Sequence, residues 1–107
     1  MEKLIPMYNT ESIPGQEFRL IAMVKGSMIQ TKHLGKDISN LMKSLVGGEL
    51  RGYSEMLNEA RAIATRRMVQ EASELNADAI VNIRYATSNV MQGAAEILVY
   101  GTAVKFV

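Results

Sequence analysis

The chain has 107 residues, with 12 lysines and arginines against 11 acidic residues, a single histidine and no cysteine. A nearly neutral chain lacks the basic surplus that nucleic-acid binders carry. The absence of cysteine excludes disulfides, thiolate catalysis and zinc–thiolate sites. No run approaches the roughly 20 apolar residues of a membrane span, and the first residues lack the apolar core of a signal peptide. We therefore expect a cytoplasmic protein with one domain over residues 1–107 and with neither nucleic-acid nor membrane partners.

The N-terminal part of the chain predicts two strands separated by a turn. Leu4–Tyr8 is a short strand candidate, and Pro6 confines it to a sheet edge because proline has no amide hydrogen to donate. A second strand is expected over Glu17–Ile29, where apolar residues occupy both faces. Gly26 is expected to bend or bulge this strand.

Two consecutive helices are predicted next. Thr31 is an N-cap residue type, and the apolar residues that follow at helical spacing run as far as Leu45, before Gly47-Gly48 breaks the pattern. The second helix is expected at about residues 53–75, and Asn76 tolerates the left-handed conformation that ends a helix. Its apolar residues recur every three or four positions, namely Tyr53, Met56, Leu57, Ala60, Ala64, Met68, Ala72 and Leu75.

The C-terminal part predicts a hairpin. Val81, Ile83 and Tyr85 alternate with polar residues, which is typical of a half-buried strand. The last strand, over residues 94–106, has apolar side chains on both faces, which is typical of a strand that is covered on both sides. One face carries Ala95, Ile97 and Val99, and the other carries Leu98, Tyr100, Val104 and Phe106.

Matching the apolar faces of the hairpin predicts its register, because side chains alternate along each strand. Ile83 is expected opposite Ile97 and Val81 opposite Val99, with a short turn around residues 89–91. The same register sets Arg84 opposite Glu96, and we predict a cross-strand ion pair that contributes roughly 0.2–1 kcal/mol.

These elements predict an α+β fold in the order β-β-α-α-β-β, with two consecutive helices on one face of an antiparallel sheet. The helices of one chain cover only one face of the last strand. We therefore predict that a second copy covers the other face and that the protein is a homo-oligomer closed by symmetry.

Several sequence blocks resemble the YbjQ-like family, which also carries the label of a heavy-metal-binding family. The resemblance extends over nearly the whole chain from Gly15 onward, and it implies a dodecin-like α+β subunit that assembles as a ring of five. The blocks that carry it are Lys32-His33-Leu34-Gly35-Lys36-Asp37-Ile38, Leu45-Val46-Gly47-Gly48-Glu49, Tyr53-Ser54-Glu55-Met56-Leu57-Asn58-Glu59-Ala60-Arg61, Asn76-Ala77-Asp78-Ala79-Ile80-Val81 and Met91-Gln92-Gly93-Ala94-Ala95-Glu96-Ile97.

Four residues are candidates for a ligand-binding or interfacial site: His33, Arg84, Glu96 and Tyr100. Soft metals prefer sulfur and imidazole ligands, so one chain cannot form such a site. Symmetry-related copies of His33 can form one on a ring axis, although a polar residue at a helix start explains His33 equally simply.

Arg84 and Glu96 are interpreted first as a structural ion pair and second as a functional pair within a shared cavity. The Tyr100 hydroxyl is expected to find a buried hydrogen-bond partner among apolar neighbours, with a ligand contact as the alternative. Gly101 is interpreted as a sign of a bulge or of a close backbone approach at a subunit contact. Lys25, Lys32 and Lys36 are interpreted first as solvated surface and second as a cluster that attracts an anion.

No nucleophile–base signature or paired-carboxylate spacing marks an enzyme. The leading prediction is a homo-oligomeric small-ligand-binding or scaffold protein with clefts between subunits, of unknown cofactor. The alternative is a metal-handling protein that uses copies of His33. A third reading is an enzyme with a composite interfacial site near Arg84, Glu96 and Tyr100.

Overall fold

A computed structural model describes residues 4–31, 51–91 and 94–107, with side chains in the helix described from residue 54. These ranges contain strand β1 (Phe18–Thr31), helix α1 (Arg51–Glu74), strand β2 (Ala79–Met91) and strand β3 (Ala94–Phe106). The strands form an antiparallel sheet in the order β1-β3-β2, so β3 is central. The predicted α+β class and antiparallel sheet are therefore confirmed.

The predicted order β-β-α-α-β-β is only partly matched by the described ranges, which contain three strands and one helix. The strand predicted at Leu4–Tyr8 is wrong, since this segment forms only an isolated parallel bridge between Met7 and Ile80. Pro6 contributes a carbonyl but no donor, which limits how far a ladder can extend. The predicted first helix and the Gly47-Gly48 break lie outside the described residues.

Helix α1 matches its prediction closely. Ala60, Ala64, Met68 and Ala72 recur every four residues and are fully buried, because they lie on the face that packs against the sheet. Two residues after the helix, Asn76 has a left-handed backbone conformation, with a φ of 57°. The amide of Asn76 donates to the Ser73 carbonyl and the amide of Ala77 donates to the Ala72 carbonyl. This pair of bonds is the Schellman arrangement that satisfies terminal carbonyls, and the predicted cap is confirmed.

The core lies between α1 and one face of the sheet. Val24 of β1 and Ile97, Val99 and Ala103 of β3 are fully buried there. Gly26 lies where α1 crosses β1, and a methyl group at this position would collide with the backbone of Ala64 and Met68. The bulge expected at Gly26 does not occur, since pairing with β3 is continuous from Lys25 to Ser27 and the irregularity in β1 falls between Leu20 and Ala22.

The predicted register of the hairpin is wrong. Arg84 pairs with Tyr100, Tyr85 with Val99 and Ser88 with Glu96. The strands continue pairing to Met91 and Ala94, so the predicted turn at residues 89–91 is strand instead. Parity alone leaves every even offset open. From Arg84 to Asn89 the observed partners lie four positions further along β3 than predicted, whereas Val81 pairs with Thr102, three positions beyond the predicted Val99.

A β-bulge in β2 also changes which residues share a face. Between the pairs Val81–Thr102 and Arg84–Tyr100, β2 has one more residue than β3, and Asn82 there has a positive φ of 56°. Such an extra residue in a left-handed conformation is typical of a bulge. As a result Val81 and Ile83 lie in different apolar clusters, on opposite faces. Gly101 faces the bulge, and a Cβ atom at this position would lie 2.8 Å from the Ile80 side chain. The predicted bulge or close approach is therefore confirmed, with neighbours that belong to the same chain.

The second face of the sheet is covered at one end by the same chain. Val81 and Val104 are buried against Tyr8, Ile13 and Phe18 of the N-terminal part. The expectation that another copy must cover this whole face is therefore wrong for the end near Val104. The rest of the face, toward Met91 and Ala94, has no cover among the described residues.

Candidate functional site

The uncovered part of the sheet is the candidate site, and we call it the open face. Residues paired across antiparallel strands project on the same side, so the register defines its members. They are Met23, Lys25, Ser27 and Ile29 of β1, Glu96, Leu98 and Tyr100 of β3, and Arg84, Ala86 and Ser88 of β2.

The open face presents apolar side chains to solvent. Met23 is 68% exposed, Ile29 is 54% exposed and Tyr100 is 39% exposed. Leu98 lies at the centre of the face between Ser27 and Ala86, and it is only half-buried. Single exposed apolar residues are ordinary, but a contiguous group on one flat face is typical of an interaction surface.

A row of two cations and a tyrosine crosses the open face. Tyr100 on the central strand has Lys25 opposite it on one side and Arg84 on the other. The Arg84 guanidinium donates from Nη1 to the carbonyls of Asn9 and Ile83, each at 2.9 Å, which holds it at the β2 side of the row. We call Lys25, Tyr100 and Arg84 the cationic row, and it offers an anion two charges and a hydroxyl.

Glu96 lies on the same face but away from the cationic row. It is opposite Ile29 and Ser88, four residues along β3 from Tyr100, which corresponds to roughly 13 Å. The predicted Arg84–Glu96 pair is therefore wrong, because the two residues are not opposite each other. The structure does bring Arg84 and Tyr100 together, as direct cross-strand neighbours.

The environment of Tyr100 also differs from the predicted one. We expected its hydroxyl to be buried among apolar neighbours, but the residue is 39% exposed and has a cationic residue opposite it on each side. Sequence reasoning did not place Lys25 beside Tyr100, and it preferred solvated surface to anion attraction for this lysine. The pairing of β1 with β3 places it in the row, and a correct register is the signal that would have found it.

A concavity of about 650 Å³ lies beside α1, away from the open face. Met7 and one side of α1 line it, and both polar and apolar side chains contribute. Its α1 residues are Ile63, Thr65, Arg66, Arg67, Val69, Gln70, Ser73 and Glu74. Of the candidates predicted from the sequence, Arg84, Glu96 and Tyr100 do not line this concavity.

The described side chains offer few groups that could bind a metal ion. Over residues 4–31, 51–91 and 94–107, no three His, Cys, Asp or Glu side chains are grouped closely enough to hold a metal ion. The chain has no cysteine, so the thiolates that soft metals prefer are missing. The described donor set therefore does not fit a heavy metal, and His33 lies outside the described ranges. Within the same ranges, no helix has the length and apolar character needed to cross a membrane.

Comparison with known proteins places these features in a family. A family model described as "Putative heavy-metal-binding" matches residues 5–107. A UPF0145 protein of Clostridium novyi is 64% identical over 99 residues, which cover 92% of this chain and 96% of the relative. A UPF0145 protein of Alkaliphilus metalliredigens is 65% identical over 101 residues, which cover 94% and 98% of the two chains.

A solved structure shares the fold. The crystal structure of a protein with unknown function of the DUF74 family, from Pediococcus pentosaceus, superposes with a TM-score of 0.66 at 13% sequence identity. The superposition covers 96% of this chain and 98% of that one. Because the match to the family model extends over residues 5–107 and the relatives are more than 60% identical, this chain belongs to the YbjQ-like family.

Proposed function

We propose that this protein is a cytoplasmic subunit of a closed homo-oligomer that binds a small anionic molecule between subunits. Five is the subunit number that the family resemblance implies. The open face carries the proposal, because the central strand of the sheet presents apolar side chains there that nothing in the described chain covers. A second copy is the proposed cover, and the nearly neutral chain opposes self-association only weakly.

The cationic row supports the anionic character of the ligand. Lys25 and Arg84 bring two positive charges to either side of the Tyr100 hydroxyl, and no acidic residue of the open face lies directly opposite any of the three. Covering the apolar part of the face would also lower the local dielectric around the row, which strengthens its attraction for a carboxylate or phosphate group.

The assembly is tested by placing a charge at the centre of the open face. Leu98→Asp is expected to shift the protein from oligomer to monomer, because an ionised carboxylate is costly to bury in an apolar contact. Sedimentation velocity at several protein concentrations measures this shift. Leu75→Asp is the matched control, since Leu75 directly follows α1, is 41% exposed and lies away from the open face. An intact Leu98→Asp oligomer would contradict the proposed interface.

A metal-handling function is the second candidate, and the description of the family favours it. Copies of His33 around a symmetry axis would supply imidazole ligands. If this reading holds, native mass spectrometry of protein purified without chelators detects a metal that the His33→Ala variant loses. Equal metal content in both proteins, or none in either, would rule out His33 as the ligand.

A further inference from the structure

A long part of each outer edge of the sheet makes no backbone hydrogen bond to another described segment. β1 and β2 are the edge strands because β3 lies between them. On β2 the N-terminal segment covers only the first part, through bonds from the Tyr8 amide to the Ile80 carbonyl at 2.9 Å and from the Asn82 amide to the Thr10 carbonyl at 2.8 Å. Beyond the bulge, β2 residues 84–91 are all exposed, and no described segment bonds to their outer edge.

Neither free edge carries the residues that prevent sheets from joining. Natural edge strands avoid joining through charges, prolines or short length. Residues 85–91 of β2 read Tyr-Ala-Thr-Ser-Asn-Val-Met, and residues 26–31 of β1 read Gly-Ser-Met-Ile-Gln-Thr, without a charge or a proline in either. The Ser27 carbonyl accepts a bond of 2.7 Å from Arg67 Nη1, but a carbonyl oxygen can accept a second bond.

The two uncharged stretches lie at the same height, by which we mean the same position along the strand direction, because they are opposite the same part of β3. Ser27 and Ala86 are both opposite Leu98, and Thr31 and Met91 are both opposite Ala94. Cyclic symmetry rotates a subunit without moving it along the axis. If the strands run nearly parallel to that axis, residues at the same level along the axis in neighbouring copies therefore face each other. β1 and β2 are both antiparallel to β3, so the new pairing between copies is parallel.

We propose that the outer edge of β1 in one copy pairs with residues 84–91 of β2 in the next copy. This inference rests on the proposed homo-oligomer and specifies how its subunits join: the closed ring turns the open faces inward, so that the copies together enclose them. The contact is head-to-tail, since two different edges meet, and such contacts generate closed rings when the rotation completes a circle.

This pairing has a consequence for the cationic row. Lys25 and Arg84 are both opposite Tyr100, so Arg84 of one copy lies near the height of Lys25 in the next. The rows of all copies then join into one cationic band on the open faces. Such a band of like charges is stabilised by a bound anion, in agreement with the proposed ligand class.

Cysteine cross-linking tests the pairing directly, because the natural chain has no cysteine. Ser27→Cys and Ser88→Cys each add one thiol on the open face, at exposed positions. The two variants, one with an affinity tag that changes its mass, are refolded together and treated with a short bis-maleimide. Each chain carries one thiol, so every covalent link joins two chains.

We expect tagged–untagged dimers in the mixture and almost no dimers in either variant alone. Dimers in the Ser88→Cys variant alone would overturn the proposal by showing a two-fold pairing of β2 with β2. Native mass spectrometry of the same samples distinguishes a failure of the edge pairing from a failure of the proposed homo-oligomer. An oligomer without mixed cross-links contradicts only the edge pairing, whereas a monomer contradicts both the pairing and the proposed function.

Discussion

Gly26→Ala is expected to destabilise the protein by about 3 kcal/mol, at the upper end for overpacking. A Cβ atom at residue 26 would collide with the Ala64 carbonyl oxygen and would lie 2.6 Å from the Met68 amide nitrogen. Both neighbours are backbone atoms of α1 and cannot rotate away. The helix would have to move off β1, which would also open the core around Val24 and Met68.

Urea unfolding followed by circular dichroism measures this loss, with the variants compared at one protein concentration because assembly and folding are linked. Ser27→Ala is the matched control, since it changes the next residue of β1, which is exposed on the opposite face. Its stability should stay close to that of the natural protein. A Gly26→Ala variant as stable as this control would show that α1 does not cross β1 as closely as described.

Met68→Ala is expected to cost about 2–5 kcal/mol, the range for removing a large apolar side chain from a core. Met68 is fully buried and is among the largest fully buried side chains of the described chain. Its packing is on the α1 side of the sheet, so the variant should still assemble through the open face under native conditions.

Thermal unfolding and sedimentation velocity, run on the same samples, check both parts of this expectation. Gln70→Ala is the control, because Gln70 lies two residues further along α1 and is exposed. If the two variants lose equal stability, Met68 is not in the core. If Met68→Ala dissociates while it remains folded, the core and the open face are not separate layers.

The helix and the end of its last turn could be predicted from the sequence because their signals are local. The spacing of Ala60, Ala64, Met68 and Ala72 defines one face by itself. Asn76 is one of the few residue types that accept a positive φ, and its φ of 57° confirms that reading.

The register of the hairpin could not be predicted by the same route. Alternation fixes only parity, and the bulge at Asn82 breaks the alternation between Val81 and Ile83. The Asn82 side chain gave no sign of this on its own, although a glycine opposite it, Gly101, was correctly read as a sign of a bulge or close approach. The paired strands reach Met91 and Ala94, beyond the turn predicted at residues 89–91.

The candidate site was predictable in part. The apolar character of Leu98 and the neighbouring Tyr100 predicted a surface that needs covering, and the structure leaves these residues on the open face. The partners were not predictable, because cross-strand neighbours depend on register. Lys25 was therefore not placed beside Tyr100, and Glu96 was placed opposite Arg84 instead of Ser88. The N-terminal cover over Val104 depends on long-range contacts of Tyr8 and Ile13, which periodicity does not report.

The central claim is that copies of this chain cover one another's open faces. Native mass spectrometry of the natural protein, supported by sedimentation velocity over a wide concentration range, tests it most directly. We predict one discrete species at a small whole-number multiple of the chain mass, with five as the number that the family resemblance implies. A folded monomer that keeps its mass and sedimentation coefficient at every concentration would contradict the claim.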